Sequence, residues 1–525
     1  MAGQKIPAKK DIRTFRSSNA RVSSGLGELG PTHSLEGEAN MYLEEKKLKK
    51  RCGVVILAYA IIVTLLYLIG GDQFHYEQST TTMLTPTAPV GEIKSDTILK
   101  QELSVPGSQI LDLTVQAGTY GRENVGELFF EIYDMDGRQL ATKTVDISQI
   151  QDNALLTISF EEPVQVSGRR VVLQITAPDS APGNAVTLYA GDSMSAARVE
   201  VSMALGEQDK LYLNGQATEM ALSVQMTVRQ DLWFGDYYWW FAAAGLLAAL
   251  ALCAYLLRCN HSGKSCPILA ILCQMGQYRY LMKQLVGRDF KTKYRRSVLG
   301  VCWSFLNPLL TMMVQYVVFS TLFKSGIPNF PLYLLSGIVC FNFFSEATTM
   351  ALGSIVNNAG LITKVYMPKY IYPLTRVISS TINLLLSLIP LAVVMLITRA
   401  PISWALLLLP LGIFFLFCLS LGIGMILSTA MVFFRDTVFL WGVVSMIWMY
   451  LTPIFYPESI IAEQFLPFYR LNPQYQIITF IRTILIDGVS PSPESYLGAI
   501  LSAIIPLMIG IWVFKKNQDK FILSL

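Results

Sequence analysis

The chain is 525 residues long, 52% hydrophobic and only 15% charged, with a mean hydropathy of +0.44 and a formal charge of +4. Length alone fits three or four soluble domains, but apolar blocks of about 17 to 29 residues separated by polar stretches fit membrane-spanning helices instead. Composition therefore excludes an ordinary soluble enzyme. The excess of Lys and Arg reads as a topological signal rather than as a nucleic-acid surface.

Residues 1–52 form a basic leader holding eleven Lys or Arg and ending in Lys46, Lys47, Lys49, Lys50 and Arg51. Its first 38 residues or so are rich in Ser, Gly and charge and are expected to be disordered. A first apolar block at 53–70 ends in Leu68-Ile69-Gly70-Gly71-Asp72 with no small-residue cleavage site, so it reads as an uncleaved anchor. Further spans are expected at 237–257, 299–323, 331–352, 374–397, 404–432, 437–454 and 498–514, eight in all. Nine more cations in 258–297 and three in the tail (Lys515, Lys516 and Lys520) then fall on one side with the leader. Both termini are expected in the cytoplasm of a multi-pass plasma-membrane protein.

Between the first two spans, residues 71–236 carry alternating apolar and polar residues. Examples are Ile110 to Val115, Leu128 to Tyr133, Leu156 to Phe160, Val171 to Ile175, Val186 to Tyr189, Val199 to Met203 and Leu222 to Val228. Turn residues separate them at Asp136-Gly137, Ser167-Gly168, Pro182-Gly183-Asn184 and Asn214-Gly215. The rhythm predicts an inserted all-β extracellular sandwich, jelly-roll-like. None of the eight cysteines lies in it, so it folds without disulfides. Tyr120 and Tyr212 could stack on sugar rings there, against the plainer reading of a spacer or docking module.

Three motifs look like chemistry and are read otherwise. Asp134-Met135-Asp136 matches a metal-binding glycosyltransferase signature, yet Gly137 makes it a hairpin turn. Gly263-Lys264-Ser265 lacks the earlier glycine of a phosphate-binding loop, because position 258 is Arg. Cys259, His261, Cys266 and Cys273 fit no zinc spacing. No cofactor or metal is expected in this chain, and it is expected not to be an enzyme.

After an amphipathic helix at 268–287, within a linker covering 258–297, comes a string of motifs. These are RDFKTKYRRSVLG, WSFLNPLL, SIVNNAGLITKVYMPK, VFFRD, LTPIFYPES and LNPQYQII, running from Arg288 to beyond Pro473. Their order resembles the membrane subunit of type-2 ABC exporters of polysaccharides such as teichoic acids, O-antigens and capsules. The resemblance covers about residues 268 to 525. It implies an α-helical polytopic protein: a six-span permease at 298–525, two extra spans, and the β insertion.

The resemblance also implies a homodimer of this chain with the conduit between protomers, and two copies of a separate ABC ATPase that binds ATP. The cargo implied is a polyprenyl-diphosphate-linked glycan moved from cytoplasm to exterior. Arg288, Lys291, Lys293, Arg295 and Arg296 crowd the membrane entrance, where they either anchor the chain on anionic lipid or take the diphosphate. The loop with Leu361, Ile362, Lys364, Val365, Tyr366 and Met367 is expected to present an apolar ridge to the ATPase, seconded by Arg435 and Asp436. Tyr316, Phe319, Phe341, Phe343, Phe344, Phe455 and Tyr456 are candidates to line the conduit, against core packing or an interfacial belt; a Trp is frequent in the family where Phe341 stands. Asn307-Pro308 should kink its span, and Glu346 is the costliest residue in the membrane half. Two other readings stay open: a type-2 permease for drugs or lipids, and a non-transporting receptor. A glycosyltransferase lacks its acidic cluster.

Overall fold

The computed structural model describes residues 45–81, 83–166, 170–192, 209–262, 266–295, 299–323, 329–364 and 367–524. The expected disordered leader, the strand at Val199 to Met203, the Ser167-Gly168 turn and Gly263-Lys264-Ser265 lie outside these residues. Seven of the helices among the described residues are long and apolar enough to cross a membrane.

The chain enters on α1 (Glu45–His75), so the basic run from Lys46 to Arg51 forms its first turns instead of preceding it. Thirteen strands follow among the described residues. They are β1 (Tyr76–Thr80), β2 (Ala88–Pro89), β3 (Leu99–Ser104), β4 (Gln109–Gly118), β5 (Glu127–Tyr133), β6 (Gln139–Asp146), β7 (Ala154–Gln165), β8 (Arg170–Thr176), β9 (Thr187–Asp192), β10 (Leu211–Leu213), β11 (Gln216–Thr218), β12 (Met220–Leu222) and β13 (Val224–Asp231). The expected strand over Leu222 to Val228 is split at Ser223, whose hydroxyl bonds the Leu84 carbonyl.

The strands make two antiparallel sheets. One runs β1-β13-β4-β9-β12, with β7 on β4 and β2 on β9; the other runs β11-β10-β3-β8-β5-β6. Alternation along β5 and β8 buries Leu128, Phe130, Ile132, Val171, Leu173 and Ile175, which join Leu113, Val115 and Met226 of the other sheet in one core. Asp134 sits in the β5–β6 hairpin, where its Oδ1 accepts the backbone N–H groups of Asp136 and Arg138 at 3.0 and 2.7 Å. Gly137, at φ +86°, closes that turn.

The all-β module joins its two helices without a linker. α1 ends at His75 and β1 begins at Tyr76, while β13 ends at Asp231 and α2 spans Trp233–His261. Because β1 pairs β13 with Tyr76 opposite Asp231, the sheet continues the helix pair. Within the pair, the Tyr59 hydroxyl donates to Ala242 O at 2.9 Å and the Tyr238 hydroxyl to Val63 O at 2.7 Å. At the other end Cys52, Cys253, Cys259 and Cys266 pack with Leu48, Leu256 and Leu269 in a small core.

Three carboxylates of the module sit below their ordinary range: Asp152 through the Thr119 N–H, Asp146 through the Ser148 hydroxyl, and Glu92 through Arg122. A lowered folded-state value stabilises above the unfolded value, near pH 4, and that stabilisation disappears as pH falls through the folded value. The module's resistance to pepsin is therefore expected to weaken as pH falls below about 4, and Asp152→Asn to make that loss less steep. A cleavage onset indifferent to this change would contradict the assignment.

The expected helix over 268–287 is two helices, α3 (Pro267–Gln277) and α4 (Arg279–Tyr294), broken at Tyr278. Then come α5 (Trp303–Phe323), α6 (Phe330–Leu352), α7 (Ile371–Ile397), α8 (Leu409–Phe433), α9 (Thr437–Tyr450), α10 (Pro473–Arg482) and α11 (Pro493–Asn517). α6 is the buried centre, with 72% of its apolar window inside the bundle against 11% for α5. α9 is shorter than the expected 437–454 span: its 14 residues rise about 21 Å against roughly 30 Å of hydrocarbon. Thr452 and Pro453 end the helix, and the chain continues non-helically.

α8 and α11 cross with their backbones in contact. A Cβ on Gly510 would overlap the Gly422 carbonyl oxygen, and one on Gly422 would lie 2.5 Å from Pro506 backbone atoms. Since backbone cannot swing aside, Gly510→Val is expected to cost about 3 kcal/mol or more. Its thermal unfolding in detergent checks this; an unshifted midpoint would mean that the helices separate freely.

Candidate functional site

Two ends of the bundle carry polar structure. At one, the C-terminal part of α4 faces the start of α5, the middle of α7 and the second half of α6. A cavity of about 570 Å³ lies there, bordered by Lys293, Trp303, Asn307, Phe343, Glu346 and Asn383 among others. Lys293 Nζ donates to Glu346 Oε1 at 2.7 Å, and Asn383 Nδ2 donates to the same oxygen at 2.6 Å. The costly carboxylate of α6 is thus ion-paired and beside a polar cavity. Both partners stay partly open, with side-chain exposures of 41% for Lys293 and 30% for Glu346.

The five candidate cations divide. Lys293 enters the cavity. Arg288 is held by Asp289 Oδ1 and Asn358 Oδ1, each at 3.4 Å. Lys291 and Arg295 are exposed, and Arg296 lies outside the described residues. Asp289 itself is buried and paired with Arg376 Nη1 at 2.7 Å, which fastens α4 to α7. Neither residue stood out in the sequence. The pairing joins two helices across a long stretch of chain, and no local pattern marks it.

The expected apolar ridge of 361–367 is only partly outward. Ile362 and Met367 are buried in the chain's own core and Leu361 packs against it, because the one-turn helix Ala359–Ile362 folds back on the bundle. Lys364 is exposed; Val365 and Tyr366 lie outside the described residues. The α8–α9 turn is the more prominent one: Phe434 is 71% exposed and Arg435 and Asp436 beside it are exposed too. Phe521 is fully buried against Phe433 and Phe514, and Lys369 Nζ donates to Gln518 O at 2.6 Å. The C-terminal tail therefore bridges both turns.

The opposite end is organised by Arg482, which sequence reasoning passed over. Its Nη1 donates to Pro453 O at 2.8 Å, and its Nη2 donates to Tyr333 O and Ile454 O at 3.1 and 3.2 Å. The guanidinium lies 3.4 Å from the Tyr333 ring centre, and the Tyr333 hydroxyl donates onward to Pro453 O and Tyr456 O. One arginine and one tyrosine thus hold the carbonyls of the LTPIFYP segment, whose prolines leave them without helical partners. Gly337 makes room, since a Cβ there would meet Arg482 Nη2 at 2.8 Å.

The seven candidate aromatics do not share one surface. Phe344 is fully buried against Trp441 and Trp448, and Phe341 is buried beside it. Phe343 borders the cavity. Phe319 stacks on buried Phe455 with 5.4 Å between centres. Tyr316 is 40% exposed, and the Tyr456 hydroxyl donates to Tyr450 O at 2.7 Å.

The two-helix anchor reaches the bundle at this end. Phe74 of α1 packs on Tyr496 of α11 at 5.9 Å, and Tyr496 on Phe480 of α10 at 5.0 Å.

Residues 280–486 match the family model described as "ABC-2 type transporter". The chain is 29% identical to an O-antigen export system permease protein of Myxococcus xanthus, over 48% of this chain and 98% of the relative. It is 30% identical to one from Klebsiella pneumoniae, over 46% and 93%. A polysialic acid transport protein of Escherichia coli is 24% identical over 46% and 95%. The chain belongs to the ABC-2 type transporter family, as a membrane permease subunit that carries a separate two-sheet module.

Proposed function

We propose that this chain is the membrane subunit of an exporter that moves a polyprenyl-diphosphate-linked polysaccharide from the cytoplasm to the cell exterior. The observation that carries this is a polar, ion-paired cavity at the basic end of a bundle whose relatives are named for glycan transport. On this reading the basic end faces the cytoplasm, both termini lie there, and the two-sheet module of 71–236 stands outside. The positive-inside rule supports that orientation.

Lys291, Lys293 and Arg295 receive the diphosphate, while Arg288 also braces α4. Two copies of the chain form the conduit, and two copies of a separate ATPase drive it. The ATPase docks on the loop around Lys364 and Tyr366 and on Phe434-Arg435-Asp436. Of the aromatics, Tyr316 is the most exposed and best placed to meet cargo, and Phe343 borders the cavity although it is buried. Phe341 and Phe344 serve as core.

Co-purification of the full chain with the ABC ATPases of its source cell tests the reading. A stable complex is expected, with ATP hydrolysis altered by Tyr366→Ala. If no ATPase associates in mild detergent, the chain has no motor and a receptor role takes precedence.

A further inference from the structure

The cavity at the basic end has a lining whose chemistry goes beyond charge. Asn307 on α5 and Asn342 on α6 lie inside apolar spans, border the cavity and are exposed to it. Neither amide side chain has a hydrogen-bond partner among the described residues. A carboxamide at membrane depth is costly unless something polar meets it. Across the cavity Asn383 and Lys293 both bond Glu346 Oε1, so neither of these two bonds uses Oε2. Trp303, which is exposed, supplies aromatic surface beside these groups.

Amides and a carboxylate offer paired donors and acceptors to neighbouring hydroxyls, and a ring face suits the apolar face of a sugar. Lys293 at the same cavity suits a phosphate oxygen. We propose that this cavity is a binding site for the glycosyl-diphosphate end of the cargo. Asn307 and Asn342 bond hydroxyls of the lipid-proximal sugar, and Lys293 leaves Glu346 to meet the phosphate. The proposal rests on the export reading and adds to it a place where the first sugar is inspected before transport. A lipid-only substrate would give the two amides nothing to bond.

The test uses the purified full chain in nanodiscs and three probes: farnesol, farnesyl diphosphate, and farnesyl diphosphate carrying one hexose. The hexosyl probe is expected to bind about tenfold more tightly than farnesyl diphosphate, a preference that Asn307→Ala combined with Asn342→Ala removes. Affinity for farnesyl diphosphate and the mass of the particle by light scattering should not change. Because both side chains are exposed, the variant should fold, and an unchanged unfolding midpoint verifies it.

If the preference survives the double variant, the cavity is not the sugar site and this inference alone falls. If the variant changes the oligomeric state instead, the amides belong to a protein interface, and the inference falls likewise. If wild-type protein binds neither diphosphate probe better than farnesol, the export reading itself falls.

Discussion

Arg482→Leu is expected to lose about 3–5 kcal/mol of stability and to abolish transport, because it removes three charge-assisted bonds to backbone carbonyls at once. Those carbonyls belong to Tyr333, Pro453 and Ile454; Pro453 O keeps the Tyr333 hydroxyl and Tyr333 O the Ser336 hydroxyl, so Ile454 O is the one left without a donor among the described residues. Arg482→Lys should recover little. An ammonium cannot present the planar fork that reaches Pro453 with one nitrogen and Tyr333 and Ile454 with the other. Tyr333→Phe is milder: it keeps the ring under the guanidinium and loses only the two bonds to Pro453 and Tyr456. Unfolding midpoints in detergent, ordered wild type, Tyr333→Phe, Arg482→Lys, Arg482→Leu, check the series. An Arg482→Leu protein as stable as wild type would show that the segment is held by other contacts.

The second large effect is expected at the α8–α9 turn. Phe434 exposes a large apolar ring beside Arg435 and Asp436, the composition of an interface anchor. Phe434→Ala paired with Arg435→Glu should weaken ATPase association by about 30-fold or more, the equivalent of 2 kcal/mol. Stability should hardly move, since neither side chain is buried. Phe521→Ala offers the contrasting case. It should leave the docking surface in place but loosen the tail that joins the two turns, so ATPase binds while stimulation falls. Equilibrium binding of the partner to immobilised full chain, read beside ATP hydrolysis, separates the two. Equal binding by all variants would contradict the docking assignment.

Much of this architecture was legible in the sequence because it depends on local patterns. Period-two alternation placed β4, β5 and β8, and long apolar runs placed the spans. Boundaries were less so. Lys46 to Arg51 look like a leader, yet they begin α1, because charged residues extend a helix beyond the hydrocarbon at little cost. The interface helix breaks at Tyr278, two residues after Gly276, a helix-weakening residue inside a pattern that otherwise reads as one amphipathic helix.

The site was partly legible. Asn342, Ser345, Glu346 and Thr349 recur at helical spacing in α6, as do Ser380, Asn383 and Ser387 in α7, and all border the cavity. That polar stripe within apolar spans was the available signal; Glu346 alone was singled out from it. Arg482 gave no such sign, because its meaning comes from Tyr333, 149 residues earlier in the chain. The ridge at Leu361 to Met367 misled in part, since an apolar run on a short helix fits the chain's own core as well as a partner's surface.

The most direct measurement is transport itself, with the full chain and an ABC ATPase that co-purifies with it in proteoliposomes supplied with the cell's lipid-linked glycan. ATP should drive appearance of the glycan on the side bearing the two-sheet module, and Arg482→Leu should stop it. ATP hydrolysis with no movement of any polyprenyl-linked glycan would contradict the account.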